Sequence, residues 1–213
     1  NRRRTRNKIQ MTLFSEIDNQ FSDKDGRTPF FYRRAFRGLV TSYANNPRKF
    51  ITDEKKDREG ADENLLRRVP KMGHLMMFQY QTESKNLKVY DEYPLVYIVS
   101  IEGRSFTGCN LHYIHPIKRE LVVENLKEGR LNLPRNSVSK YSMANVGPLL
   151  DIAKSEWTNA SNLPIEEFVS IKDGKKQRLM TNKVWDETNK TFRDMIRGVR
   201  RYQGYGKNDS DFR

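Results

Sequence analysis

The chain has 213 residues, 36% apolar and 31% charged. That length allows one domain with a real core, or a small domain with long arms, and its polarity leaves extensive surface for partners. The single cysteine, Cys109, excludes an internal disulfide framework and a cysteine-rich zinc site. No apolar run is long enough to span a bilayer and no signal-peptide pattern opens the chain, so the expectation is a soluble protein made in a reducing cytoplasm. The net charge of +13 sits in the ends: +8 over residues 1–49 and +6 over 172–213, against −1 for the residues between. A near-neutral body with two basic arms suits a polyanion or an acidic protein partner.

In chain order, Arg2, Arg3, Arg4, Arg6 and Lys8 can contact phosphate without reading sequence, dock on a neighbouring protein, or remain a solvated tail. Residues 7–21 fit an amphipathic helix, with Ile9, Met11 or Leu13, Ile17 and Phe21 about a turn apart. Thr28-Pro29 supplies the N-cap and first residue of a second helix, about 29–44. Its Phe30, Phe31, Phe36, Leu39, Val40 and Tyr43 alternate with Arg33, Arg34 and Arg37, and it stops near Asn45-Asn46-Pro47. Residues 51–69 are densely charged and read as a linker.

Residues 70–190 read as a β-barrel domain with inserted helices. His74–Tyr80 forms a strand with Leu75 and Met77 on one side and Met76, Phe78 and Tyr80 on the other. Tyr93–Ile101 is β-branched and aromatic, a strand buried on both faces. Glu102-Gly103-Arg104 makes a tight turn into a returning strand, Ser105–Leu111, where Gly108 marks a bulge or a sharp bend. His115-Pro116 starts a helix carrying Ile117, Leu121, Val122 and Leu126 and ending at Gly129. Residues 130–140 read as loop. Ser142–Ala160 shows mostly helical spacing, and Leu163-Pro164 breaks it. Strands on either side of Asp173-Gly174 form a hairpin that completes the barrel. In residues 191–213, Phe192, Met195, Ile196 and Val199 share one helical face while Arg193, Arg197, Arg200 and Arg201 lie largely elsewhere. That is an amphipathic basic helix, followed by a Gly-rich tail.

Catalytic patterns are sparse. The run Cys109-x2-His112-x2-His115 has metal-like spacing, but Cys109 and His112 point to opposite faces of a continuous strand, so no metal is expected. Asp91 and Glu92 stand before Tyr93-Pro94, where an acidic turn capping a strand is the plain reading, although paired carboxylates can also serve acid–base work. Ser105, Ser137 and Ser139 lack a nucleophile elbow, and Gly-x4-Gly-Lys-Ser/Thr is absent. No cofactor and no enzymatic activity are expected. Tyr90, Tyr93 and Tyr113 can stack on bases where exposed, or serve as core and rim residues.

Three motifs stand together: Met-Phe-Gln-Tyr at 77–80, Tyr-Asp-Glu-Tyr-Pro-Leu-Val at 90–96, and Phe-Thr-Gly-Cys-Asn-Leu-His-Tyr-Ile at 106–114, with Arg119 in the next helix. This order resembles a group of small virion proteins of T4-like contractile-tailed phages. Their pattern is an aromatic strand, a Tyr-Asp-x-Tyr/Phe-Pro-Leu-Val strand and a Gly-x-Asn-Leu-His-Tyr-Leu-Pro turn into a helix. Tyr90, Asp91, Tyr93, Pro94, Gly108, Asn110, Leu111, His112, Tyr113 and Pro116 match it. Cys109 fills the variable position, and Ile114 with an inserted His115 replaces the usual Leu-Pro. The match covers about 50 residues and leaves the basic arms outside.

The resemblance implies a structural or morphogenetic virion protein, similar to baseplate or hub components or to protectors of the packaged DNA end. It brings no catalytic residues, and it makes Asn110 and His112 fold-holding groups at a strand-to-helix turn. The expectation is thus an α+β protein: a small SH3-like β-barrel flanked by N-terminal helices (residues 1–50) and a basic C-terminal helical arm. Its expected place is the virion, after synthesis in the host cytoplasm. Other virion proteins are the expected partners, in a symmetric multi-copy assembly, with double-stranded DNA the further candidate.

Overall fold

The computed structural model describes residues 17, 28–45, 66–82, 89–172 and 174–186. The predicted N-terminal and C-terminal basic helices lie outside these residues, apart from Ile17, which is helical and fully buried.

Helix α1 spans Pro29–Asn45, and the Phe31 N–H donates to the Thr28 hydroxyl at 3.3 Å, so the predicted cap forms. The strands are β1 (Leu66–Arg67), β2 (Leu75–Met77), β3 (Val89–Asp91), β4 (Leu95–Glu102) and β5 (Ser105–Asn110). A 3₁₀ turn at Leu111–Tyr113 leads to α2, Pro116–Lys127. Then come β6 (Val138–Ser142), β7 (Leu149–Ile152), α3 (Trp157–Asn162), β8 (Phe168–Lys172) and β9 (Lys175–Arg178). Residues 181–186 are helical.

Six strands form one antiparallel sheet in the order β1-β7-β2-β4-β5-β6, and β3-β8-β9 form a second. The alternation of the central strands explains the layering. On one side of the six-stranded sheet Leu75, Met77, Leu95, Tyr97, Cys109, Leu150 and Ile152 meet Ala35, Phe36 and Val40 of α1, Val122, Val123 and Leu126 of α2, and Trp157 and Ala160 of α3. On the other side Met76, Phe78, Val96, Ile98, Phe106, Tyr141 and Leu149 meet Tyr90 of β3 and Val169 of β8. Helices, large sheet and small sheet therefore make three layers; β2 and the first half of β4, Leu95–Ile98, are buried on both faces as their composition requires, whereas β4 runs out to an exposed Ile101 and Glu102. Phe78 meets Phe106 and Tyr141 edge to face, at 5.7 and 5.4 Å between centroids, which places aromatic quadrupoles favourably between the sheets.

The fold is α+β, but the expected SH3-like barrel does not close. Sheet edges β1 and β6 stay unpaired to each other among the described residues. Two segments explain the difference. The hairpin around Asp173-Gly174 forms as predicted, yet it pairs with β3 instead of extending the larger sheet. The segment 142–160, expected to be helical, supplies β7, which inserts between β1 and β2. Leu149-Leu150-Asp151-Ile152 is buried throughout, and a short run buried on both faces carries no period that separates strand from helix. Strand β6 likewise occupies part of the expected loop 130–140, and Leu66-Arg67 of the expected linker pairs with Leu149-Leu150.

Two glycines have clear reasons. Gly103 turns β4 into β5 with φ +57°, a left-handed geometry that suits a residue without a side chain. At Gly108 an added Cβ would lie 2.3 Å from Val96 Cγ1 and 2.7 Å from the Tyr97 carbonyl oxygen, so close strand approach excludes any side chain. The register does shift beside it, between Ile98 and Ser100 of β4. The extra residue thus sits on the partner strand, opposite the glycine.

Candidate functional site

Asp91 ends β3, and the turn that follows folds back so that its carboxylate faces the end of β5. Oδ1 accepts the N–H of Tyr93 at 3.1 Å and of Glu167 at 3.2 Å. Oδ2 accepts the Asn110 amide at 3.2 Å and His112 Nδ1 at 2.6 Å, so Nδ1 is the protonated nitrogen facing an acceptor-only carboxylate. Asn110 Oδ1 in turn accepts the His112 N–H at 3.0 Å and caps the 3₁₀ turn. Both Asn110 and His112 are fully buried. Burial alone would raise the Asp91 carboxyl, but the His112 charge and the hydrogen bonds from His112, Asn110 and the Tyr93 N–H outweigh it and hold the group below 3.8.

A second buried ion pair adjoins the first. Arg119 of α2 donates to the carbonyls of Ile114 (2.7 Å), Ser161 (3.0 Å) and His112 (3.3 Å) and pairs with Glu166. Burial pulls the guanidinium below its ordinary value, and Glu166 opposes that pull. Trp185 closes this side: its indole Nε1 donates to the His112 carbonyl at 2.8 Å and its ring lies 5.5 Å from the Arg119 guanidinium carbon. Next to Glu166, Glu167 pairs with Arg37 of α1 at 2.6 Å and with Arg178 of β9. The dipeptide Glu166-Glu167 before β8 thus gathers arginines from α1, α2 and β9. Arg119 was legible only as a motif member, and the Glu166-Glu167 clasp left no local signature, because its partners lie far away in sequence.

Of the matched motif residues, Asp91, Asn110 and His112 join directly. Tyr93 stands beside Arg37, whose guanidinium carbon is 5.1 Å from its ring centroid. Tyr113 packs on Phe168 at 4.9 Å, and burial, with the Asp91 charge nearby, raises its hydroxyl well above the ordinary range. Tyr90 is buried against Tyr80 at 6.0 Å, and Pro94 is buried too. These three tyrosines therefore build core and rim. Cys109 lies on the opposite face from this network, its Sγ 3.2 Å from the Ser137 hydroxyl, and burial pushes its thiol up to about 12.

Among the expected basic contacts, Arg34 is exposed on α1 and Arg37 is turned onto Glu167 and the Ile165 carbonyl. Arg33 lies on the same helix. Arg2, Arg3, Arg4, Arg6, Lys8, Arg193, Arg197, Arg200 and Arg201 lie outside the described residues.

The His112–Asp91 geometry is that of an oriented imidazole, with Nε2 left without a hydrogen-bond partner among the described residues. A general base must reach its substrate proton, and His112 has no exposed surface. Its chemistry here is to tie β3, β5 and the turn before α2. A polar cleft of about 600 Å³ opens elsewhere, beside Asn45, Gln79, Gln81, Asn145 and Lys176. Among the described residues no three His, Cys, Asp or Glu side chains converge to hold a metal, and no helix is long and apolar enough to cross a membrane. No family model, curated protein or solved structure matches this chain.

Proposed function

We propose that this chain is a non-enzymatic structural protein of a contractile-tailed phage virion. It acts in assembly of the tail, the baseplate hub or the head–tail region, and its basic arms contact neighbouring subunits or packaged DNA. The observation that carries this reading is the charge distribution, +8 and +6 at the ends against −1 in the middle. Basic ends on a near-neutral body suit contacts with a polyanion or an acidic neighbour. The motif's polar groups support the same reading, because Asp91, Asn110 and His112 are buried and bond to one another between β3 and β5, as scaffold. Fractionation of purified particles tests it. The chain should co-migrate with tails or whole virions at a stoichiometric copy number, and its confinement to the unassembled lysate would refute the reading.

The charge asymmetry also favours a second reading, a sequence-independent protector of the DNA end. Anisotropy with blunt linear duplex and a closed circular competitor across a salt series separates the two. End protection predicts tight binding that the circle does not compete away, with log affinity falling by about 0.9 per phosphate contact for each log unit of salt. Weak or circle-competed binding assigns the arms to protein neighbours.

A further inference from the structure

Beyond β2, Tyr80 makes a single antiparallel bridge with Val146. Phe78 and Tyr80 face the core between the sheets, so Gln79 and Gln81 share the opposite side. Gly147 donates its N–H to the Gln79 carbonyl, and Gln81 donates its own to the Asn145 carbonyl, both at 2.9 Å. The backbone here is thus paired, and Gln79, Gln81 and Asn145 line the cleft of about 600 Å³ noted above. Asn45, the last residue of α1, and Lys176 of β9 complete its walls.

That volume is in the range of small-molecule sites. Four carboxamides meet in the cleft, and none of them has a hydrogen-bond partner among the described residues. Each offers two N–H donors and a carbonyl acceptor. Among the described residues that line the cleft, the one charged group is Lys176, which Glu92 balances at 2.7 Å, and none is aromatic.

Such a set discriminates between classes of ligand. A phosphate would meet an ammonium already neutralised by its carboxylate, and a nucleobase would find no ring to stack on. An apolar ligand would strip the carboxamides of water and return no hydrogen bond. A sugar suits them, because each hydroxyl is both donor and acceptor and pairs with a carboxamide in either sense. Ala144 and Val146, which also line the cleft, give the C–H face of a sugar ring an apolar ledge.

We propose that this cleft is a binding site for an uncharged, polyhydroxylated ligand, a short oligosaccharide. Gln79, Gln81 and Asn145 exchange hydrogen bonds with its hydroxyls, and Asn45 and Lys176 offer further donors. The proposal does not rest on the virion reading, since it concerns the isolated chain.

Saturation-transfer difference NMR on the full-length protein tests it, with maltotriose as a plain glucan and chitotriose as an N-acetylated one. At least one of the two should take up saturation at its ring protons. Transfer confined to chitotriose assigns the site to N-acetylated chains, and transfer confined to maltotriose assigns it to plain glucans. Affinity for the active sugar should fall about tenfold in a Gln81→Ala/Asn145→Ala variant that keeps its circular dichroism, since two hydrogen-bonding groups are lost. Adenosine monophosphate should leave the sugar in place on the unaltered protein. Absence of transfer from both sugars would overturn the proposal, as would unchanged affinity in the variant or displacement by the nucleotide.

Discussion

At the scale of single residues, the carboxylate of Asp91 is the point on which the motif turns, since it accepts four hydrogen bonds from three separate segments. Its folded-state pKa lies below the ordinary 3.8. The stability it contributes is therefore complete above that value and is lost as pH falls through the folded pKa. Asp91→Asn should cost about 3 kcal/mol at neutral pH, because it puts a neutral amide where a buried carboxylate accepts four hydrogen bonds. The deficit should shrink as pH falls below 3.8 and through the folded pKa, where the parent loses the same charge. Urea midpoints of both proteins at neutral pH and in acid check this, and an equal deficit at both would contradict the assignment. Cys109 offers a second residue-level expectation. Its buried thiol, pushed up to about 12, should resist a thiol reagent at pH 8 in the native state and react fully in denaturant.

Elements show where a linear reading succeeds and where it cannot. Gly108→Ala should destabilise by about 3 kcal/mol or more, since the new methyl meets the backbone of β4 as well as the Val96 side chain. Equilibrium denaturation measures the cost. The β4–β5 hairpin and the Asn110 turn were legible because their signals are local: a β-branched run, a turn glycine and a side-chain cap. The start of α2 at Pro116 was legible for the same reason, but its inward face was not. There Arg119 takes the inward position, held by the carbonyls of His112 and Ile114 in the preceding turn and of Ser161 in α3, while Ile117 and Leu121 stay exposed. Strand β7 was hidden because a four-residue run buried on both faces, Asp151 included, carries no period of its own, and only its neighbours β1 and β2 make it a strand. Arg119→Met should cost about 3–5 kcal/mol by stranding Glu166, and Arg119→Met/Glu166→Gln should recover part of that loss. Additive costs in the double-variant cycle would mean that the pair is not coupled.

For the whole molecule, α1, α2, α3 and both sheets share contiguous cores on the two faces of one sheet, so unfolding should be a single cooperative transition. Fluorescence of Trp157 and Trp185, which sit in different layers of contact, should change with the same midpoint as far-UV circular dichroism. Two separated midpoints would show that the small sheet or the C-terminal turn melts alone. The open ladders carry one more implication. The outer strands present Arg67 on β1, Lys140 on β6, and Lys175, Lys176 and Arg178 on β9. Arg67, Lys140, Lys176 and Arg178 pair with Asp151, Glu102, Glu92 and Glu167, so these edges carry hydrated ion pairs that a second edge would have to strip, and a two-residue strand such as β1 offers little backbone to extend. A barrel would have removed these edges by closure, whereas this fold guards them with charge. At high local concentration the chain can thus pack against neighbours through its side chains without polymerising into a continuous β-ribbon.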